Sequence, residues 1–136
     1  MKQQDQNQNT SILFEVIIPG RVGIKKNGKQ IVMRGLYPKL ISSPRYLAWA
    51  DKAKDYYKQA YVHAMPIAEK LHAEYTFHFK NHQAEPDVSN CIEGPQDLLE
   101  ACGVIHNDKQ IISLTARKVF DGTEKTTLRL TMATEA

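Results

Sequence analysis

The sequence predicts an α+β domain, a mixed β-sheet with two helices packed on it, in the order βββαβαββ. Three observations predict it. Leu71, Ala73, Tyr75, Phe77 and Phe79 alternate without a break against polar neighbours, the period-two mark of a half-buried strand. Tyr46, Trp49, Ala50, Ala53, Tyr57, Ala60 and Ala64 recur at steps of three and four, an apolar stripe on one helix face. Strands cluster at both ends of the chain instead of alternating strictly with helices, which excludes a doubly wound sheet. There is no internal repeat of solenoid period.

Each element has a local reason. Residues 1–10 are rich in Gln and Asn and carry no apolar pattern, so they read as a disordered polar arm, leaving 11–136 as a single domain. Ile12 to Pro19 reads as a strand ended by Gly20. Val22 to Lys26, Asn27-Gly28 and Lys29 to Arg34 read as a hairpin, because Asn-Gly supplies the positive φ that a tight hairpin turn needs. Tyr37 to Ser43 is a short strand or loop. Ser43-Pro44 is a capping serine followed by proline at the first helical position, and Pro66 closes that helical region. A second helix follows Asp87. Pro95 implies that its regular part begins near Gly94-Pro95 or that it kinks there. Leu98, Leu99 and Cys102 face its core side, and Gly103 stops it. Ile111 to Phe120 and Thr126 to Met132 are strands joined through an Asp121-Gly122 turn.

The chain has 136 residues and a net charge of +3. That length fits one core, and the charge alone names no partner. No apolar run approaches the ~20 residues of a membrane span, and the polar N-terminus lacks the layout of a signal peptide. Cys91 and Cys102 lie about 16 Å apart along one helix, too far to bridge. They read as reduced core thiols, consistent with a cytoplasmic protein. Arg21, Lys25, Lys26, Lys29 and Arg34 form a segment without acids. It suits phosphate contact, and equally a lysine-protected edge hairpin.

Residues 84–111 are the chemical centre of the chain. Asp87 precedes the second helix and Asp108 follows its stop. The helix is about 20 Å long, so the two carboxylates meet only if the chain after Gly103 turns back toward the helix start. They would then converge with Lys109 beside them, an oxygen cluster of the kind Mg²⁺ prefers. Pro-Asp-Val-Ser-Asn, then Asp-Leu-Leu, then Gly-Val-Ile-His-Asn-Asp-Lys-Gln-Ile resembles the RusA family of Holliday-junction resolvases. That family's signature is roughly Asp-x-Asp-Asn, a helix, then Asp-Asp-x-Gln. The resemblance implies an α+β fold, a homodimer, a requirement for Mg²⁺ with Mn²⁺ as a possible substitute, and symmetric nicking of four-way (branched) DNA in recombination and repair. It also implies a bacterial or phage-encoded source.

Carried over by position, the resemblance makes Asp87 and Asp108 metal ligands and Asn90 a brace of the loop. Three positions depart from it. Ser89 stands for the second aspartate, Asn107 for the acid before Asp108, and Glu93 for the catalytic lysine. Ser89 and Glu93 are four apart and share a helix face, so Glu93 is a replacement carboxylate and Ser89 holds a water or caps the helix. Lys109 or Lys80 supplies positive charge. Glu85 and His106 read as loop residues. His72 and His78 share a strand face but lie ~20 Å apart, so they are not a ligand pair. The departures leave a second expectation, a branched-DNA-binding protein with weak or no cleavage, and a third, a nuclease for other branched forms.

Overall fold

The computed structural model describes residues 11–25, 30–34, 37–41 and 44–134. The elements run β1 (Ile12–Pro19), β2 (Gln30–Arg34), β3 (Tyr37–Ile41), α1 (Pro44–Ala60), β4 (Leu71–Phe79), α2 (Val88–Ala101), a 3-10 turn (Asp108–Gln110), β5 (Ile111–Phe120) and β6 (Lys125–Met132). This is the expected order. The main sheet is mixed, with strand order β1-β6-β4-β5. β6 runs antiparallel to both β1 and β4, whereas β5 runs parallel to β4. The chain from β4 through α2 to β5 is therefore a parallel crossover, and β5 lies at a sheet edge.

The two helices bury their apolar stripes against the inner face of this sheet. β4 contributes Leu71, Ala73, Tyr75, Phe77 and Phe79, each at most 2 % exposed, as its alternation predicts. β1 adds Phe14, Val16 and Ile18, and β6 adds Leu128 and Leu130. From α1 come Tyr46, Ala50, Ala53 and Tyr57, and from α2 Cys91, Leu98 and Leu99. Tyr57 donates its buried hydroxyl to the Pro95 carbonyl at 2.7 Å, and Tyr75 donates to Gln96 Oε1 at 2.8 Å. These bonds satisfy polar atoms that would otherwise be costly to bury.

Three expectations need correction. The hairpin is formed by β2 and β3, with Gln30 opposite Ile41 and Arg34 opposite Tyr37. Residues 22–24 are not in a strand, and Asn27-Gly28 lies outside the described residues. The cause is tertiary: Val22 and Gly23 are buried, and a Cβ at Gly23 would lie 2.7 Å from the Trp49 ring. That segment is committed to α1 and is not free to build a ladder. Second, α1 ends at Ala60, before Pro66. The Tyr61 ring packs on Phe14, and Ile67 bridges to Ile105, which draws the chain away. Third, α2 is helical from Val88 and runs through Pro95. Gly94 sits 3.0 Å (as a notional Cβ) from Tyr46, so the small residue lets α1 approach. Beyond the Asp121-Gly122 turn, β6 inserts between β1 and β4.

No helix among the described residues is long and apolar enough to cross a membrane. Both cysteines are free, and burial pushes the Cys91 thiol up to about 11, which makes it unreactive.

Candidate functional site

Parallel pairing decides where the two aspartates go. Leu71 pairs with Ile111 and Phe79 with Phe120. Asp87 follows the C-terminal end of β4, and Asp108 precedes the N-terminal end of β5. They consequently lie at opposite ends of the sheet. α2 has 14 residues and spans the gap, about 20 Å. The chain after Gly103 does not turn back. Gly103, with φ +75°, closes α2 with its N–H on Glu100, and Val104 bonds Leu99. The chain then goes straight to the start of β5. Within one copy, Asp87 and Asp108 do not share a cation, and no group of three or more His, Cys, Asp or Glu among the described residues could hold one.

At the first end, Asp87 is the N-cap of α2 in extended conformation, and its side chain makes no cap hydrogen bond. The exposed carboxylate sits at the positive end of the helix dipole and is not spent on capping. Its loop is held by two cations: Lys118, which the sequence reading did not single out, and Arg21, which it read as a phosphate contact. Lys118, on β5, donates to Glu85 and also to the Pro86 carbonyl at 3.1 Å. Arg21 donates to the Ala84 carbonyl and lies 5.4 Å over the Phe79 ring. Ala84 has φ 55°, a left-handed conformation that costs a non-glycine residue energy and that the Arg21 bond helps to hold. The Lys118 bond, followed by one from His82, holds the Glu85 carboxyl below its ordinary range. His82 stacks on Phe120 at 3.7 Å between centroids. The Asn90 N–H donates to the Asp87 carbonyl at 3.0 Å, a first-turn backbone bond of α2 that does not depend on the asparagine side chain.

Ser89 and Glu93 are both exposed on the first two turns of α2. Glu93 acts electrostatically on Lys25 and Tyr46, toward α1 and the segment after β1. Lys80 is exposed and, with Arg21, Asn81, Gln83, Ala84 and Glu124, lines a shallow depression of about 290 Å³. It lies on the Asp87 side.

At the other end, Asp108 opens the 3-10 turn with Lys109 next to it. Lys109 therefore stands with Asp108 and away from Asp87. Asn107 caps the turn, its Oδ1 accepting from the Lys109 N–H at 2.7 Å. An aspartate here would cap equally well, so the departure at Asn107 costs a charge and not the fold. Gln110 is the anchor. Its Oε1 accepts from the N–H groups of His106 and Asn107, and its Nε2 donates to the carbonyls of Ile67 and Glu69. A 9 % exposed amide with its donors and acceptor all engaged fixes this turn onto the start of β4. His106 is exposed.

Of the basic segment, Arg21 and Lys25 are engaged: Arg21 as above, Lys25 in an ion pair with Asp97 of α2. That hydrogen bond is the main cause that raises the Lys25 ammonium above its ordinary value. The side chains of Lys26, Lys29 and Arg34 lie outside the described set. His72 bonds Ser113, and His78 bonds Asp121; the two histidines do not meet.

The chain is of the endodeoxyribonuclease class. The family model described as "Endodeoxyribonuclease RusA" matches residues 19–131, and the chain belongs to that family. None of the curated proteins matches it.

Proposed function

We propose that this chain is a divalent-metal-dependent endodeoxyribonuclease that resolves four-way DNA junctions as a homodimer. In this reading, Asp87 of one copy and Asp108 of a second copy complete one metal site. One observation carries it: two exposed, uncommitted carboxylates stand at opposite ends of α2. A two-fold axis running across α2 brings the N-terminal end of one helix beside the C-terminal end of the other. It makes two such sites, one for each strand to be cut.

Mg²⁺, or Mn²⁺ in its place, would polarise the scissile phosphate and bind the attacking water there. The remaining work belongs to the chain. Asp87 and Asp108 hold charge at the site, with Ser89 and Glu93 exposed on the first two turns of the helix that Asp87 caps. Lys118 orders the loop before Asp87, and Lys109 arrives with Asp108 to offset negative charge that grows in the transition state. The segment from Arg21 to Arg34, with Lys80, meets phosphates without reading sequence. Two free thiols suit the reducing cytoplasm of a bacterial host.

The deciding experiment is a labelled four-way junction incubated with and without Mg²⁺ or Mn²⁺. Metal-dependent symmetric nicking, lost in Asp87→Asn and in Asp108→Asn, is the expected result. Comparison with flap and linear duplex substrates sets junctions apart from other branched forms. A second reading rests on Ser89 and Glu93, which remove one carboxylate and one cation from the family pattern: a protein that grips branched DNA and cuts it weakly or not at all. It predicts unchanged binding in both variants and no nicking with either metal.

A further inference from the structure

The loop after β4 and the turn into β6 enclose the depression on the Asp87 side, and its frame is tied down. Asn81 Oδ1 accepts the Gln83 N–H at 2.8 Å. Arg21 is fixed by its bond to the Ala84 carbonyl and by the Phe79 ring, 5.4 Å away. The Glu124 carbonyl accepts the Gly20 N–H at 2.9 Å. Just before it, Asp121 Oδ1 takes the Thr123 N–H and hydroxyl at 3.1 and 2.7 Å. On this fixed frame three lining side chains, Lys80, Gln83 and Glu124, make no hydrogen bond or ion pair with the described residues. A braced hollow with uncommitted polar groups is the form of a binding site.

Arg21 and Lys80 alone would describe a phosphate contact. The Glu124 carboxylate does not fit that description, because it repels a phosphate and accepts only from a donor. Within a DNA strand the phosphates are acceptors, and the donors are the N–H groups of the bases. One ligand satisfies all three side chains: a nucleotide with its phosphate on the cations and an exocyclic amine on the carboxylate. The volume of about 290 Å³ is at the lower end of small-ligand pockets, ~300–1,000 Å³, and suits a single nucleotide. We infer that the depression receives one unstacked nucleotide of the strand to be cut, and that Glu124 reads its base. Adenine, cytosine and guanine each carry an exocyclic amine, whereas thymine carries none and is disfavoured. Gln83 offers both a donor and an acceptor, so it accommodates the other groups of any of these three. A branch point supplies such a base at little cost, since unstacking is easiest where pairing is already lost. The depression begins three residues before Asp87, at most ~11 Å along the chain, so its nucleotide neighbours the phosphate held at that carboxylate. The inference rests on the DNA-cleaving reading above and adds a specificity-determining residue to it.

Four labelled four-way junctions test it. They differ only in one unpaired nucleotide, dA, dC, dG or dT, inserted at the branch point on each of two opposing strands. Binding of the full chain is read by fluorescence anisotropy in EDTA, so that no cutting intervenes. The wild-type chain is expected to bind the dT junction about tenfold more weakly than the other three. In Glu124→Gln that difference should shrink to about twofold or less, because a carboxamide also donates to a thymine carbonyl. Lys80→Met should weaken all four junctions by the same factor and lower the salt slope by about one. Equal wild-type binding to all four junctions overturns the inference, and so does a Glu124→Gln chain that keeps the thymine penalty. Base discrimination in binding, with no nicking in Mg²⁺ or Mn²⁺, sinks the nuclease reading and leaves the subsite standing. Nicking without discrimination sinks the subsite alone, and absence of binding to branched DNA ends both.

Discussion

Gln110 shows how a signature residue can be an anchor of the backbone. Its amide ties four backbone groups from two distant segments. Gln110→Leu would orphan them at a buried site, where each costs roughly 1–3 kcal/mol. Partial rescue by water leaves an expected loss of about 3 kcal/mol, read from urea unfolding. Asp121 offers a charge test. The Thr123 hydroxyl, then His78, lower its carboxyl from 3.8 to about 2. A depressed carboxyl contributes stability that is present above its unfolded value and lost as pH falls through its folded one. Asp121→Asn is therefore expected to flatten the acid limb of the stability profile between about pH 4 and pH 2, and to leave the slope above pH 5 unchanged. Lys118 was missed in the sequence, although a signal existed. It occupies the inward-facing set of β5 with Leu114, Ala116 and Phe120, and a lysine in such a set needs a reason. The reason is the carboxylate of Glu85, which no local pattern reveals.

At the scale of elements, periodicity told the truth where packing agreed with it. β4 and the stripe of α1 were legible because period two and period 3.6 are direct images of burial. The hairpin was misassigned because Asn-Gly is a local signal, and the burial of Val22-Gly23 under Trp49 is a long-range one. The same contact makes a prediction. Gly23→Ala would drive a methyl group within 2.7 Å of the indole, under a Trp49 that is itself packed on Tyr46 at 5.8 Å. Overpacking of this kind costs typically 1–3 kcal/mol, so a melting temperature lowered by several degrees is expected. Pro95 was legible as an anomaly, but not in its outcome. α2 tolerates it because Gly94 and Pro95 form the face on which Tyr46 and Tyr57 lie, and that packing offsets the lost backbone bond.

At the scale of the whole molecule, the sheet order was the least legible feature. Whether β5 pairs with β4 or β6, and in which direction, depends on how a 31-residue crossover from 80 to 110 lies over the sheet. The acids were singled out in the sequence as residues flanking α2. Their convergence within one copy was an expectation about topology, and parallel pairing overturned it. The proposed sharing of each site between copies has a clean test. Asp87→Asn and Asp108→Asn are each expected to be inactive alone. Mixed and allowed to exchange, half of the dimers are mixed, and each of those recovers one intact site of two. The mixture should regain about a quarter of wild-type nicking, as single nicks rather than paired resolution. Sites contained within one copy would regain nothing.

The parallel run of β4 and β5 has a kinetic corollary. On the proposed sharing of each site between two copies, an isolated chain carries half of each ligand set and leaves any duplex it meets uncut. Below the dissociation constant of the pair, dimer concentration varies as the square of chain concentration, so halving the protein should cut the nicking rate about fourfold. A dilution series followed on a junction would display that curvature. It would mean that the cell restrains this nuclease through scarcity, with no inhibitor needed.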